Sequence, residues 1–66
     1  MRALFQLPDG KKELDLREGV TIYEALVELR LNSDSCVVFL DNKPVPEDIL
    51  VKNGKEYTVV IVASGG

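Results

Sequence analysis

Short apolar runs alternate with turn-forming clusters along this chain, and the period of each run predicts its element. Arg2 to Leu7 is apolar-rich and closes on Pro8-Asp9-Gly10, where proline fixes φ and glycine adds freedom, so a strand and a turn are expected. Lys12-Glu13-Leu14-Asp15-Leu16-Arg17 then alternates, setting Leu14 and Leu16 on one face and charge on the other. That is the period of a half-buried strand, and the two runs predict an N-terminal hairpin. Beyond Gly19, Thr21-Ile22-Tyr23-Glu24 is a capping box, which starts a helix by satisfying orphan backbone N–H groups at its first turn. Ile22, Ala25, Leu26 and Leu29 recur at helical spacing and form one core-facing stripe, with the helix ending near Leu31-Asn32.

The second half reads as strands. Cys36 to Leu40 is β-branched and aromatic, and Asp41-Asn42-Lys43 is a turn signal. Pro44-Val45-Pro46 is barred from a central strand, because proline offers no N–H to a ladder, and belongs at an edge or in an extended loop. Ile49-Leu50-Val51 leads into Asn53-Gly54, a preferred pair for a tight reversal, and Glu56 to Val62 is a strong final strand. The order is ββαβ…β in one domain, with no internal repeat or linker.

One helix covers only one face of such a sheet, so the other face meets solvent or a partner. Alternation groups Tyr57, Val59 and Ile61 on one side of the last strand and Thr58, Val60 and Val62 on the other; the polar Thr58 marks the second set as outward. Val37 and Phe39 share a face with the polar Asp41. If the two strands are neighbours, Val37, Phe39, Val60 and Val62 form an exposed apolar patch, a common mark of a binding surface. The competing expectation is that a loop, or residues 44–50, covers them.

Composition narrows the chemistry. At 66 residues, with 45% hydrophobic and 29% charged residues, the chain is an ordinary small soluble globular domain. No apolar run approaches the roughly 20 residues of a membrane span, and Met1-Arg2-Ala3-Leu4-Phe5 lacks the layout of a signal peptide, so a cytoplasmic protein is expected. Net charge of −3 argues against direct binding of nucleic acid. The single Cys36 forms no internal disulfide and lies in an apolar run as a small hydrophobe, and the absence of histidine removes Cys/His metal sites. Glu24 and Glu28 stand one helical turn apart, but no neighbour in sequence splits their pKa values for acid and base roles, so they read as a solvated face. The lysines Lys11, Lys12, Lys43, Lys52 and Lys55 read as solubilising surface.

The sequence given ends in Ser64-Gly65-Gly66. Glycines lack a Cβ and thread slots closed to other residues, which suits a tail inserted into another enzyme's active site. Residues 63–66 reach at most about 13 Å when extended. With the ββαβ…β order, the segment Phe39-Leu40-Asp41-Asn42-Lys43-Pro44-Val45-Pro46, the Asn53-Gly54 turn and the final strand running into Gly65-Gly66, the chain resembles the ThiS/MoaD family of ubiquitin-like sulfur carriers, small archaeal modifier proteins included. It departs from the common Gly-Asp of that family by Gly54-Lys55.

The resemblance implies an α+β, β-grasp fold: a mixed four- or five-stranded sheet with one helix on one face, the first and last strands parallel at its centre. Residues 1–62 are then the β-grasp domain and 63–66 a Gly-Gly tail. It further implies a monomeric carrier rather than an enzyme, with no bound cofactor. An E1-like enzyme uses ATP to adenylate Gly66, with Gly65 beside it, and a thiocarboxylate or a lysine isopeptide bond follows. The implied recipients are a sulfur-accepting synthase of thiamine or molybdopterin assembly, a tRNA thiolase, or target-protein lysines. The partner surface implied is centred on Phe39 and Val60 and takes in Val37, Val62 and Ser64. The alternative is a non-covalent β-grasp interaction module working through that face alone.

Overall fold

A computed structural model of the protein describes residues 1–62. Expectations that concern Ser64, Gly65, Gly66 and the 63–66 tail lie outside the described residues. Strand β1 (Arg2–Leu7) turns through Pro8-Asp9 into β2 (Gly10–Asp15), and the two pair antiparallel from Arg2↔Asp15 to Leu7↔Gly10. The second strand starts two residues before the alternating run, because the two-residue turn brings Gly10 opposite Leu7. Leu16 lies just past the strand yet stays in register: Leu16 and Met1 exchange both backbone hydrogen bonds, at 2.7 and 2.8 Å.

Helix α1 (Ile22–Glu28) begins at the capping box, with the Glu24 N–H donating to the Thr21 hydroxyl at 3.2 Å and the Thr21 N–H donating to the Glu24 carboxylate at 3.0 Å. It is shorter than its apolar spacing predicts. Arg30 takes a left-handed φ of 60°, its N–H donates to the Val27 carbonyl, and the Leu31 N–H donates to the Leu26 carbonyl. These two bonds are a Schellman closure, which ends the helix while letting Leu31 continue to pack on the core. A 3-10 turn (Ser33–Ser35) then leads into β3 (Cys36–Leu40).

Asp41 and Asn42, with φ of 53° and 65°, make the two-residue hairpin turn whose positive angles match the strand twist. The turn returns the chain as β4 (Lys43–Val45), paired with β3 at the sheet edge, where Pro44 is tolerated. Asn53-Gly54 does not join two strands of the sheet. Its carboxamide oxygen accepts the Arg2 N–H at 2.8 Å, and the Gly54 N–H, at a φ of 78° that favours glycine, donates to the Arg2 carbonyl at 2.7 Å. The turn thus fixes the start of β5 (Glu56–Ile61) beside β1, and the two run parallel with Phe5 opposite Tyr57.

The sheet order is β2-β1-β5-β3-β4, with the parallel pair β1/β5 inside it. This is the β-grasp arrangement, with five strands and one helix on one face. Ala3 and Phe5, Tyr57 and Val59, and Val38 bury their side chains against Ile22, Ala25 and Leu26 of the helix. Phe5 and Tyr57 stack with ring centroids 5.3 Å apart, and the Tyr57 hydroxyl accepts the Lys52 N–H at 2.9 Å. The segment 47–51 pins the helix start: the Ile22 and Tyr23 N–H groups donate to the Ile49 and Glu47 carbonyls, and the Val51 N–H donates to the Val20 carbonyl. Among the described residues no helix is long and apolar enough to cross a membrane.

The capping box makes stability respond to acid. Hydrogen bonding to the Thr21 backbone, more than the nearby Arg17, holds the Glu24 carboxyl below its ordinary value. A carboxyl lowered in the folded state contributes stability that is complete above the unfolded glutamate range, about 4.3, and is lost as pH falls through the folded value. Thr21→Ala is expected to lose about 1 kcal/mol at neutral pH, measured by urea unfolding. Glu24→Gln, which keeps a side-chain acceptor but loses the charge, is expected to lower stability at neutral pH, to flatten the acid limb of the stability–pH curve and to converge with the parent at low pH; an unchanged acid limb would show that the loss lies elsewhere.

Candidate functional site

The outer face of the sheet divides into a charged half and an apolar half. On the charged side, Arg2 pairs with Glu13 at 3.2 Å between β1 and β2, and Lys11 reaches Glu56 at 3.5 Å from β2 to β5. These ion pairs lie over the outward Leu4 and Gln6 of β1, both half-buried. Because β5 is parallel to β1, its second half runs past the end of β1's ladder, and there the outward positions change character.

Strands β5 and β3 are antiparallel neighbours, with Val60 directly opposite Val37 and Thr58 opposite Phe39. Val60 and Val62 are each 41% exposed, whereas Val37 and Phe39 are half-buried. Phe39 also stands opposite Pro44 of β4, so it lies in a row between Thr58 and Pro44. The 44–50 segment therefore extends the sheet through β4 before passing to the helix start, rather than crossing the outer face. Pro44 and Thr58 belong to this surface and were not read as site residues from sequence. The signal was present in the hairpin turn at Asp41-Asn42, which sets Pro44 across from Phe39.

Val62 follows the last residue of β5, and its N–H donates to the Ser35 carbonyl at 2.8 Å, so the apolar face continues to the end of the described chain. Ile61 differs from expectation. Alternation places it with Tyr57 and Val59, yet it is 45% exposed, since the short helix does not extend over that end of the sheet. Cys36, opposite Ile61, is half-buried rather than fully buried, and desolvation pushes its thiol pKa up. A thiol kept protonated behaves as the small hydrophobe that its apolar run predicts. Glu24 is engaged with Thr21 and, at 3.2 Å, with Arg17. Among the described residues no group of three or more Cys, Asp or Glu comes together to hold a metal ion.

Residues 6–62 match the sequence profile of the family described as Small archaeal modifier protein 2. The chain belongs to that family. Solved structures share its fold. The N-terminal ubiquitin-like domain in the 4931431F19Rik protein is similar at a TM-score of 0.75 and 23% identity, over 100% of this chain and 78% of that one. Caldiarchaeum subterraneum ubiquitin gives 0.74 at 14% identity, over 100% and 98% of the two chains. A designed protein based on the template of human erythrocytic ubiquitin gives 0.71 at 20% identity, over 98% and 95%. At these identities the likeness establishes the ubiquitin-like fold. Membership of the small archaeal modifier family makes the protein, in general terms, a ubiquitin-like modifier or sulfur carrier. Such proteins are typically not catalysts themselves, and the family implies an E1-like activating enzyme and conjugation to targets.

Proposed function

We propose that this small archaeal modifier family protein is a carrier whose Gly66 carboxylate is activated by an E1-like partner and then passes on sulfur or the protein itself. A C-terminal carboxylate, with a pKa of about 3.3–3.7, is an anion at neutral pH and a poor electrophile. In the first step a carboxylate oxygen attacks the α-phosphorus of ATP and pyrophosphate leaves, forming an acyl adenylate. A sulfide or persulfide donor then attacks the acyl carbon with loss of AMP. Sulfide gives the thiocarboxylate directly, and a persulfide donor requires an added thiol to reduce the acyl disulfide. Attack by a lysine amine instead gives an isopeptide bond.

The observation that carries this reading is the division of the outer face. Its apolar half, Val37, Phe39, Val60 and Val62, lies at the end of β5 from which the chain continues toward Gly65-Gly66. A partner seated there is adjacent to the segment it must engage, and Ser64 would lie along its path. The ion-paired half, Arg2/Glu13 and Lys11/Glu56, would orient the approach. Sulfur-accepting synthases, tRNA thiolases and target-protein lysines are the recipients this chemistry serves, with ATP consumed by the partner. The domain supplies the grip and the tail supplies the reacting atom.

The test is the intact mass and C-terminal peptide mass of the protein recovered under denaturing conditions from its own cells. The expected result is a population with sulfur replacing one oxygen of Gly66, or with Gly66 joined to a lysine of another protein. A free carboxylate under every growth condition, sulfur starvation and oxidative stress included, would leave the non-covalent interaction module as the correct reading.

A further inference from the structure

A second surface lies on the opposite side of the sheet from the apolar face. Between helix α1 and the end of β2 runs a half-open groove of about 570 Å³. Its floor is the buried Leu16 and Val20, and its wall is Tyr23 and Val27, one helical turn apart and 48% and 55% exposed. This second apolar pair lies outside the Ile22/Ala25/Leu26/Leu29 stripe and contributes nothing to the core.

The adjoining strand edge is open as well. Strand β2 is the terminal strand of the sheet. Met1 and Leu16 exchange both backbone hydrogen bonds, and antiparallel pairing alternates, so Leu14, Lys12 and Gly10 also direct their backbone groups to β1. The N–H and C=O groups of Lys11, Glu13 and Asp15 therefore point outward from the sheet. The rim of the groove is acidic. Glu24 is engaged by Arg17, the one cation of the lining, whereas no ion pair among the described residues holds Glu28, and the 79% exposed Asp15 side chain has only the amino terminus at 3.8 Å.

We infer that this groove and edge form a docking site for an extended segment of a partner protein that carries apolar residues flanked by Lys or Arg. The segment adds to β2 through the outward backbone groups of Glu13 and Asp15, sets an apolar side chain against Tyr23 and Val27, and places cations by Glu28 on the helix side and, from its alternate positions, by Asp15 on the other face of the strand edge. Backbone pairing supplies affinity, and the acidic rim selects the charge. A second copy of this chain is a poor occupant, because the net charge of −3 opposes self-association of acidic rims. The site is independent of Gly66 chemistry and stands whether or not the carrier reading holds.

The test uses the full chain, labelled with nitrogen-15, titrated with the blocked hexapeptide Arg-Val-Ile-Val-Lys-Arg and with its acidic counterpart Glu-Val-Ile-Val-Glu-Glu. The basic peptide is expected to shift the amide resonances of Glu13 to Arg17 and Tyr23 to Glu28. The acidic peptide is expected to bind at least about tenfold more weakly, given several surface charge contacts reversed. Val27→Arg, at an exposed site that leaves the core intact, is expected to weaken the basic peptide by about tenfold. Val60→Glu is expected to leave that binding unchanged. The inference fails if the peptides bind equally, if Val27→Arg binds as well as the parent, if the shifts fall on Val37 and Val60, or if millimolar basic peptide causes none. It fails equally if the peptide-free protein self-associates through the same resonances.

Discussion

Phe39→Glu is expected to cut activation by the E1-like partner by about 100-fold or more while the domain stays folded, and Val60→Glu is expected to act in the same direction. Phe39 lies between Thr58 and Pro44 in the sheet rows, half-buried, with Val60 and Val37 in the next row. In the free protein a glutamate at position 39 or 60 keeps access to water, so its carboxylate stays solvated and the inner face, where Phe5, Tyr57 and Val59 pack, is untouched. Once the partner closes over the face, the same carboxylate is stripped of water with no cation among its row neighbours. An unpaired charge buried in this way costs about 3–5 kcal/mol, which is the source of the expected loss.

The control is Leu50→Glu. Leu50 is the most exposed large apolar residue at 57%, but it bridges to Thr21 at the helix start, away from the outer face. It is expected to be activated normally. Pyrophosphate release in the presence of ATP and the partner measures all three variants, with far-UV circular dichroism as the check of fold. Normal turnover of Phe39→Glu and Val60→Glu, or loss of turnover in Leu50→Glu, would move the partner surface to the helix side.

Much of this architecture was legible because local chemistry and packing agree. Thr21 and Glu24 announce the helix start without reference to anything distant, and the alternation in β5 separates buried Tyr57 and Val59 from exposed Thr58 and Val60. The helix end was not legible. Leu29 and Leu31 continue the apolar spacing, and the stop is made by Arg30 at a left-handed angle, a residue with no marked preference for it. Ile61 escaped for a related reason: alternation gives the face of a residue but not the length of the element covering it. The covering of Phe39 depended on a two-residue turn that aligns Pro44 with it, a fact of register that periodicity does not carry. The groove beside α1 is not legible in the sequence, because the helical spacing of Tyr23 and Val27 carries no information on the strand that lies next to them, and it is β2 at the sheet edge that turns the pair into the wall of a groove.

Tyr57→Ala is expected to unfold the protein, whereas Tyr57→Phe is expected to lose only about 1 kcal/mol. Tyr57 is fully buried, stacks on Phe5 across the parallel pair, and through its hydroxyl holds the Lys52 N–H just ahead of the turn that launches β5. Truncation to alanine removes the ring from the largest buried cluster and leaves a cavity at the centre of the sheet, a loss of about 3–5 kcal/mol. A domain of 66 residues has a total stability of only about 3–10 kcal/mol, so that loss is comparable with the whole. Phenylalanine keeps the stack and loses one hydrogen bond to a backbone group near solvent, and its melting temperature should fall by about 4–8 °C. Because β5 carries the Val60 face, unfolding removes the surface to which the proposed partner binds. Activation of Tyr57→Ala should therefore fail at temperatures where Tyr57→Phe works, and a cooperative melt of Tyr57→Ala within a few degrees of the parent would show that the centre of the core lies elsewhere.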